Sequence, residues 1–225
     1  MKLRPQYPKT YGKVQSANPG RWLTHEEAYG RLISACQDGS ALAVRDELAI
    51  RLGLAGMRVT EIASLNIGDL LIDGANPSIQ WTGKRRKPRK LTPGPSLIAV
   101  IRLYLIDYEL HLGTPPAKHL PLVCPGVPRG YAIRWGERIN NAPRSLGDMV
   151  IRRAKRAGLG HVAPHDLRRS AAGILHNATT DQGAHHFDLL DIQKVLGHSD
   201  PATTMRSYLD PMDTGILRKA AHFLD

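Results

Sequence analysis

The chain has 225 residues, enough for one domain with a sizeable core, and its 42% hydrophobic and 23% charged residues are typical of a folded globular protein rather than a disordered or fibrous one. Lysine and arginine number 31 against 20 acidic residues, which gives a formal net charge of +11. Such an excess attracts polyanions, and nucleic acid is the usual partner, although a basic and merely solvated surface gives the same composition. Aromatic residues make up only 5%, which argues against base stacking as the main mode of binding.

The sequence gives no sign of secretion or of a membrane partner. No stretch approaches the roughly 20 apolar residues that a membrane-spanning helix needs, and the basic N-terminus is not followed by the apolar core of a signal peptide. Cys36 and Cys124 are far apart and do not form a metal-binding pair. We therefore expect two free thiols in the reducing cytoplasm of the cell.

The N-terminus is predicted to be a flexible arm and the rest of the chain one domain. Residues 1–22 contain several prolines and glycines and five basic residues but no acidic one. Order is expected to begin at Thr24, a suitable N-cap for the first helix. Residues 23–225 are then predicted to form the folded domain, including a C-terminal helix at 213–224 that docks on its own domain or on a neighbour.

Hydrophobic periodicity predicts mostly helices, and alternation between turn residues predicts a small sheet. The predicted helices cover residues 25–33, 41–53, 59–65, 95–112, 145–157, 165–176, 188–196, 201–208 and 213–224. Short strands are predicted at residues 70–72, 78–81 and 87–91, and Pro88 restricts the last of them to a sheet edge. Residues 113–142 are too rich in proline and glycine to be assigned. The prediction is a mainly α fold with a small three-stranded antiparallel β-sheet.

An arginine stands where one of these helices begins. Arg58 follows the helix break at Gly56, and its planar guanidinium could bind two oxygens of one phosphate. The simpler alternative is a surface arginine that pairs with Glu61.

A cluster of cations lies at the tip of the predicted β-hairpin. The window from Lys84 to Lys90 holds six basic residues, which would suit a finger that enters a DNA groove. Lysine is also the basic residue whose pKa shifts most readily, so Lys84 could donate a proton. The alternative, a solvated charge run that contacts only phosphates, applies to most of these residues.

Two further segments combine histidine with arginine or tyrosine. His165 and Arg168 are three residues apart and share a helix face, which would join an acid–base group to a fixed charge. Gly197 is a helix C-cap signal that places His198 in the following loop, and the next short helix ends with Tyr208. Alone, the first pair could lie on an ordinary helix surface, and the tyrosine could belong to the core.

Together and in this order, these segments resemble the catalytic domain of the tyrosine recombinase (phage integrase) family. The patterns are G-x-R-x-x-E at 56–61, a G-K hairpin at 83–84, H-x-L-R at 165–168 and L-G-H at 196–198, with a tyrosine shortly beyond. The resemblance covers roughly residues 24–224. It implies a helical fold with a small sheet and a site-specific DNA recombinase that acts through a covalent 3′-phosphotyrosyl intermediate, without a metal ion, a cofactor or ATP.

The resemblance also implies a role for each matched residue. Arg58 and Arg168 would clamp the phosphate, Glu61 would support Arg58, and Lys84 would protonate the leaving 5′ oxygen. The predicted proton-handling imidazole is His165, the additional histidine is His198, and the nucleophile is Tyr208. Further contacts to double-stranded DNA are predicted for Arg85, Arg86, Lys87, Arg89, Arg144, Arg152, Arg153 and Arg169. In the family the C-terminal segment links protomers, so a homo-oligomer, from a dimer to a tetramer in synapsis, is expected on DNA.

This sequence departs from the family pattern in three ways. Tyr208 is the tenth residue after His198, whereas many members have the tyrosine at the ninth, where Ser207 stands here. Arg85 occupies a turn position where many members have glycine. Many members also carry an N-terminal helical domain, so this sequence is predicted to be either a minimal recombinase or an excised catalytic domain.

Three alternatives remain open at this level. The first is a DNA-binding regulator that keeps the fold but has lost cleavage, and the second is a type IB topoisomerase-like or telomere-resolving enzyme with the same constellation. The third is a metallohydrolase, for which no carboxylate or cysteine stands at ligand spacing from the histidines. Its candidate ligands would be His161, His165, His185, His186 and His198.

Overall fold

The computed structural model describes residues 21–83, 87–127, 132–180 and 185–197. They form a mainly helical domain with one three-stranded antiparallel sheet, which confirms the predicted fold class. The main helices are α1 (Ala43–Leu54), α2 (Val59–Ser64), α3 (Pro95–Leu112), α4 (Ala142–Arg156), α5 (Pro164–Asn177) and α6 (Leu189–Leu196). A π-helical segment (Glu26–Leu32) and two 3-10 turns (Ser34–Cys36 and Ile67–Asp69) complete the described helices, and the strands are β1 (Leu70–Leu71), β2 (Ser78–Thr82) and β3 (Pro88–Leu91).

Helix α1 runs through the centre of the domain. It packs against α3, α5 and α4, and Leu48, Ile50 and Leu52 are fully buried in the core. Its sequence is apolar on more than one face, as expected for a helix that is surrounded by other elements. Gly56, with φ of +91°, ends this segment and sets the direction of the chain into α2.

The sheet has the order β1-β2-β3, so β3 is an edge strand, as Pro88 predicted. In the register of the hairpin, Ile79 lies opposite Leu91 and Trp81 lies opposite Arg89. Ile79 and Trp81 point into the core, while Gln80 between them is exposed, which is the period-two pattern of a half-buried strand. At that end of the sheet the Gly83 N–H donates to the Lys87 carbonyl at 2.8 Å.

Arg21 and Trp22, which the sequence analysis assigned to the N-terminal arm, pack against the folded domain. The Arg21 backbone N–H donates to Asp166 Oδ1 at 3.2 Å, and Trp22 packs on Ala171 and its neighbours in α5 and α6. The first helix then begins as expected, because Thr24 Oγ1 accepts from the Glu27 N–H at 3.1 Å. Arg21 and Trp22 thus contact the folded domain, and residues 1–20 are outside the described part of the chain.

The described residues of the unassigned segment, 113–127 and 132–141, are held by isolated contacts rather than by long elements. Asn66 pairs with Pro121 and Gly126 with Ile133 as single antiparallel bridges. The hydroxyl of the buried Tyr108 donates to the Pro121 carbonyl at 3.2 Å. Helix α4 then begins at 142 rather than 145, because the Asn141 side chain caps it by accepting from the Arg144 N–H.

The predicted helices at 201–208 and 213–224, including the C-terminal docking helix, lie outside the described residues. Within the ranges described above, no helix is both long and apolar enough to cross a bilayer.

Arg153, one of the predicted DNA contacts, makes its contacts within the protein. Its side chain is only 8% exposed, and its donors bind Asp46 Oδ2 at 2.8 Å, Asp38 Oδ2 at 2.7 Å and the Ala35 carbonyl at 3.0 Å. Burial would raise the pKa of Asp38, but hydrogen bonds from Ser40 and Arg153 and the charge of Arg153 outweigh it and hold that pKa well below its ordinary value. Arg153 therefore joins α4 to the segment that contains Ala35, Asp38 and Asp46.

Arg153→Met is expected to destabilise the domain by about 3 kcal/mol, because it leaves buried carboxylates without their main partner. Urea unfolding of the full chain measures this change in the free energy of unfolding. Arg152→Met is the matched control, since Arg152 is the neighbouring arginine on α4 and is exposed. Equal stability of the two variants would contradict the structural role of Arg153.

Candidate active site

Arg58, which the sequence predicts to be the first clamp residue, is fixed at the start of α2 by Glu61. Glu61 Oε2 accepts from the Arg58 backbone N–H at 2.8 Å, and Oε1 accepts from Arg58 Nη1 at 3.0 Å. The carboxylate is buried, at 6% side-chain exposure, while the Arg58 side chain remains 35% exposed. Glu61 thus holds the guanidinium from the protein side and leaves it open to a ligand from solvent. The sequence alternatives for Arg58, an ion pair or a phosphate site, are compatible in this arrangement.

Arg168, the second predicted clamp residue, is buried where α5 meets the junction of α1 and α2 and the end of α6. It lies on α5 with 2% exposure and donates to the carbonyl of Gly56, between α1 and α2, and to the carbonyl of Leu196 at the end of α6. Burial, together with the positive charges of Arg58 and Arg89, lowers the pKa of Arg168 to about 10. The negative charge of Glu61 has the opposite effect and raises that pKa. Arg168 therefore ties the Arg58 region to the segment that leads to His198.

His165 lies one helical turn before Arg168, and its ring is at the surface near the same cations. Loss of hydration lowers the pKa of His165 below its ordinary value, and the charges of Arg169, Arg168 and Arg58 lower it further, against the opposing effect of Asp166. This shift favours the neutral imidazole, which is the form that can accept a proton.

We expect NMR titration of the free protein to give a pKa for His165 below 6.5, with Arg58→Ala shifting it upward because a nearby positive charge is removed. The depressed pKa means that the folded state binds fewer protons than the unfolded state. Its effect on stability is therefore absent well above pH 6.5 and becomes destabilising as the pH falls below that value. His165→Gln identifies the resonance, and a pKa above 6.5 in the wild-type protein would contradict the arrangement.

A third arginine, Arg89, belongs to the same group. It lies on β3, donates from Nη1 to the Gly197 carbonyl at 3.1 Å and from Nη2 to the Val195 carbonyl at 3.3 Å, and places its guanidinium carbon 5.6 Å from the Trp81 ring centroid. Burial lowers the pKa of Arg89, and Glu61 and Arg58 are close enough to affect it in opposite directions. The sequence predicted a DNA contact for Arg89, but its guanidinium faces the protein backbone. The sequence analysis did not predict that Arg89 lies opposite Trp81, a pairing that follows from the register of β2 and β3.

The group has an imbalance of charge. Three guanidiniums, those of Arg58, Arg89 and Arg168, lie within electrostatic reach of one another, and among the described residues Glu61 is the carboxylate that acts on both Arg89 and Arg168. Like charges so close in a partly buried site repel one another, and an anion that enters from the exposed side of Arg58 relieves this repulsion. The described part of the site is thus built to receive a negatively charged group.

The other described residues that are predicted to contact DNA differ in how exposed their side chains are. Lys87, Arg144 and Arg152 are exposed, whereas Arg169 is half-buried, with Nη1 3.5 Å from Asp166 Oδ1. The remaining predicted site residues lie outside the described part of the chain: Lys84, Arg85, Arg86, His198 and Tyr208.

A metal-binding cluster was one of the sequence alternatives. Among the residues that the structure describes, no group of three or more histidine, cysteine, aspartate and glutamate side chains is arranged to hold a metal ion.

Comparison with known proteins supplies the family context for this geometry. The family model described as "Phage integrase family" matches residues 21–214. A tyrosine recombinase XerC of Neisseria meningitidis serogroup C is 32% identical over 200 residues, which cover 88% of this chain and 56% of the relative. The chain therefore spans little more than half the length of that relative.

Solved structures share the fold. A XerH site-specific recombinase bound to a palindromic difH substrate, in a post-cleavage complex, matches with a TM-score of 0.65 and 24% identity over 91% of this chain and 53% of that one. A XerA recombinase matches with a TM-score of 0.62 and 23% identity over 98% of this chain and 67% of that one.

Proposed function

The chain belongs to the phage integrase family, and on that premise we propose that it is a site-specific DNA recombinase that cleaves and rejoins DNA through Tyr208. The observation that carries the proposal is the group formed by Arg58, Arg168 and His165, with Arg58 still open to solvent. A cation cluster beside a neutral imidazole suits a phosphodiester, which carries one negative charge and gains another in the transition state.

The proposed reaction exchanges one phosphate ester for another. The Tyr208 hydroxyl oxygen attacks phosphorus and loses its proton to the neutral His165 imidazole. The bond from phosphorus to the 5′ oxygen breaks, and Lys84 protonates that oxygen. The products are a 3′-phosphotyrosyl ester and a free 5′ hydroxyl, and attack by a 5′ hydroxyl reverses the step. Because the number of phosphate esters does not change, rejoining needs no ATP.

Each described residue has a distinct task in this scheme. Arg58 binds the nonbridging oxygens from the solvent side and opposes the charge that develops on them. His165 is placed to accept or return a proton because its neutral form is favoured. Arg168 adds a fixed positive charge, and it also holds the Leu196 carbonyl, two residues before His198. A tyrosine hydroxyl, with an ordinary pKa near 10, attacks well only with such help.

Double-stranded DNA is the proposed partner, in a complex with further copies of this chain. The net charge of +11 and the exposed Lys87, Arg144 and Arg152 support a backbone contact that weakens steeply with salt. The XerH structure contains a palindromic DNA, and a palindrome matches a pair of copies related by a two-fold axis. We propose dimers on a single site and tetramers when two sites meet.

The test is covalent capture of DNA by the full chain. The protein is incubated in EDTA without ATP with a pool of duplexes of random sequence, each carrying a nick that lets a short 5′-hydroxyl fragment diffuse away after cleavage. Complexes that survive denaturation are isolated and their DNA is sequenced. Enrichment of one DNA sequence on a 3′-phosphotyrosyl ester is the expected result. A specific duplex that binds the protein but is never captured would leave a DNA-binding regulator without cleavage.

A further inference from the structure

Arg89 is held in a fixed position on the hairpin. It lies directly opposite Trp81 in the β2–β3 pairing, and its guanidinium stacks over the Trp81 ring. Trp81 is 9% exposed, so the side chain that covers it is directed against the body of the domain. The face of an indole ring attracts a cation, which favours this orientation over one in solvent.

The other end of Arg89 binds the last turn of α6. The final carbonyls of a helix have no partners within the helix, and a positive charge near them is favourable. Arg89 donates to the carbonyls of Val195 and Gly197, and Arg168 donates to that of Leu196 between them. Two arginines from separate elements thus satisfy three successive carbonyls at the point where the chain leaves α6.

Two glycines leave the space that Arg89 occupies. A Cβ at Gly197, where φ is +59°, would lie 1.6 Å from Arg89 Nη1, and a Cβ at Gly83 would lie 2.9 Å from Arg89 Cγ. Neither distance is possible without displacing Arg89. Gly83 directly precedes Lys84 in the sequence, and Gly197 directly precedes His198. One side chain therefore contacts the residues before two of the predicted catalytic groups.

We propose that Arg89 is a positioning residue that fixes the hairpin and the end of α6 relative to each other, and with them the starting points of the segments that carry Lys84 and His198. The inference rests on the proposed function for its catalytic consequence, whereas the link itself rests on the contacts of Arg89. The guanidinium is suited to this task because its planar fork reaches two acceptors at once, which an ammonium group on a flexible stem does not.

The experiment compares Arg89→Met, Arg89→Lys and Arg102→Met in the full chain. Methionine keeps an apolar stem over Trp81 but has no donor, and lysine keeps the charge without the fork. Arg102 is the control, since it is 59% exposed and lies 3.5 Å from the exposed Asp73, away from the site. Single-turnover cleavage and DNA affinity are measured on the captured duplex, and hydrogen exchange is measured at the amides of residues 192–197.

Arg89→Met is expected to slow cleavage by about 10²-fold through misplacement of the reacting groups, with unchanged DNA affinity and faster exchange at the end of α6. Arg89→Lys is expected to fall between Arg89→Met and the wild type in rate, and Arg102→Met to match the wild type. A loss of affinity that accounts for the loss of cleavage would overturn the inference in favour of a DNA contact, and so would unchanged exchange in Arg89→Met. If the wild-type chain captures no DNA, the proposed function fails, while the exchange comparison still decides whether Arg89 links the two segments.

Discussion

Tyr208→Phe is expected to abolish the covalent protein–DNA complex while the protein still binds the captured duplex. Phenylalanine keeps the ring but lacks the oxygen that forms the ester with phosphorus, so the loss is complete rather than a reduction in rate. A denaturing gel with labelled DNA measures the covalent species, and a mobility shift under native conditions measures binding. The two assays together separate loss of the nucleophile from loss of the fold.

Two variants control for the identity of the nucleophile. Ser207→Ala tests the residue at the position where many members of the family have their tyrosine, and Tyr131→Phe tests another tyrosine of the same chain. Both are expected to form the covalent complex. A complex that survives Tyr208→Phe and disappears in Tyr131→Phe would reassign the nucleophile and contradict the proposed role of Tyr208.

The described tyrosines are poor candidates for the nucleophile. Tyr104 and Tyr108 are fully buried, and their hydroxyl oxygens accept from the backbone N–H groups of Cys124 and Gly136. Burial raises the pKa of both, and it also raises the pKa of Tyr29. A hydroxyl that holds its proton more tightly than usual attacks less readily. The remaining tyrosines of the sequence are Tyr7, Tyr11, Tyr131 and Tyr208.

The sequence predicted what local signals control. Glycine and proline set the ends of α1 and α3, and the hairpin strands follow from alternation and from the restriction at Pro88. The G-x-R-x-x-E spacing also anticipated that Glu61 would support Arg58, because a residue three positions into a helix can reach back to its N-cap. These are interactions between residues a few positions apart.

The sequence could not resolve contacts between distant segments. Arg152 and Arg153 are neighbours with the same chemistry, yet Arg152 is exposed and Arg153 is buried against Asp38 and Asp46, more than 100 positions away. Arg89 likewise finds its carbonyl partners 106 and 108 positions away. In both cases the positive charge led to the prediction of a DNA contact, whereas the packing shows that the guanidinium binds groups of the protein.

Arg58→Ala is expected to lower the rate of covalent complex formation by about 10²–10³-fold, the usual effect of removing one donor that stabilises a developing negative charge. DNA affinity is expected to change little, because many other phosphate contacts remain. Single-turnover cleavage of the captured duplex at saturating protein measures the rate. Arg134→Ala is the matched control: Arg134 also pairs with a glutamate three residues later, with Nη1 3.3 Å from Glu137 Oε2, and it is not among the predicted site residues. Cleavage by Arg58→Ala at the rate of Arg134→Ala would contradict a clamp at Arg58.

The pairing of Arg58 with Glu61 predicts how their substitutions combine. Glu61→Gln keeps an acceptor for the Arg58 N–H but removes the one carboxylate among three guanidiniums, so Arg58 is held less firmly and cleavage slows. If Glu61 acts on the reaction through Arg58, the double variant Arg58→Ala with Glu61→Gln cleaves no more slowly than Arg58→Ala alone. Multiplicative losses of rate would show instead that Glu61 acts through Arg89 or Arg168, whose charges it also faces. Because Arg58→Ala removes one of the three repelling cations, the double variant is also expected to be more stable to urea than Glu61→Gln alone.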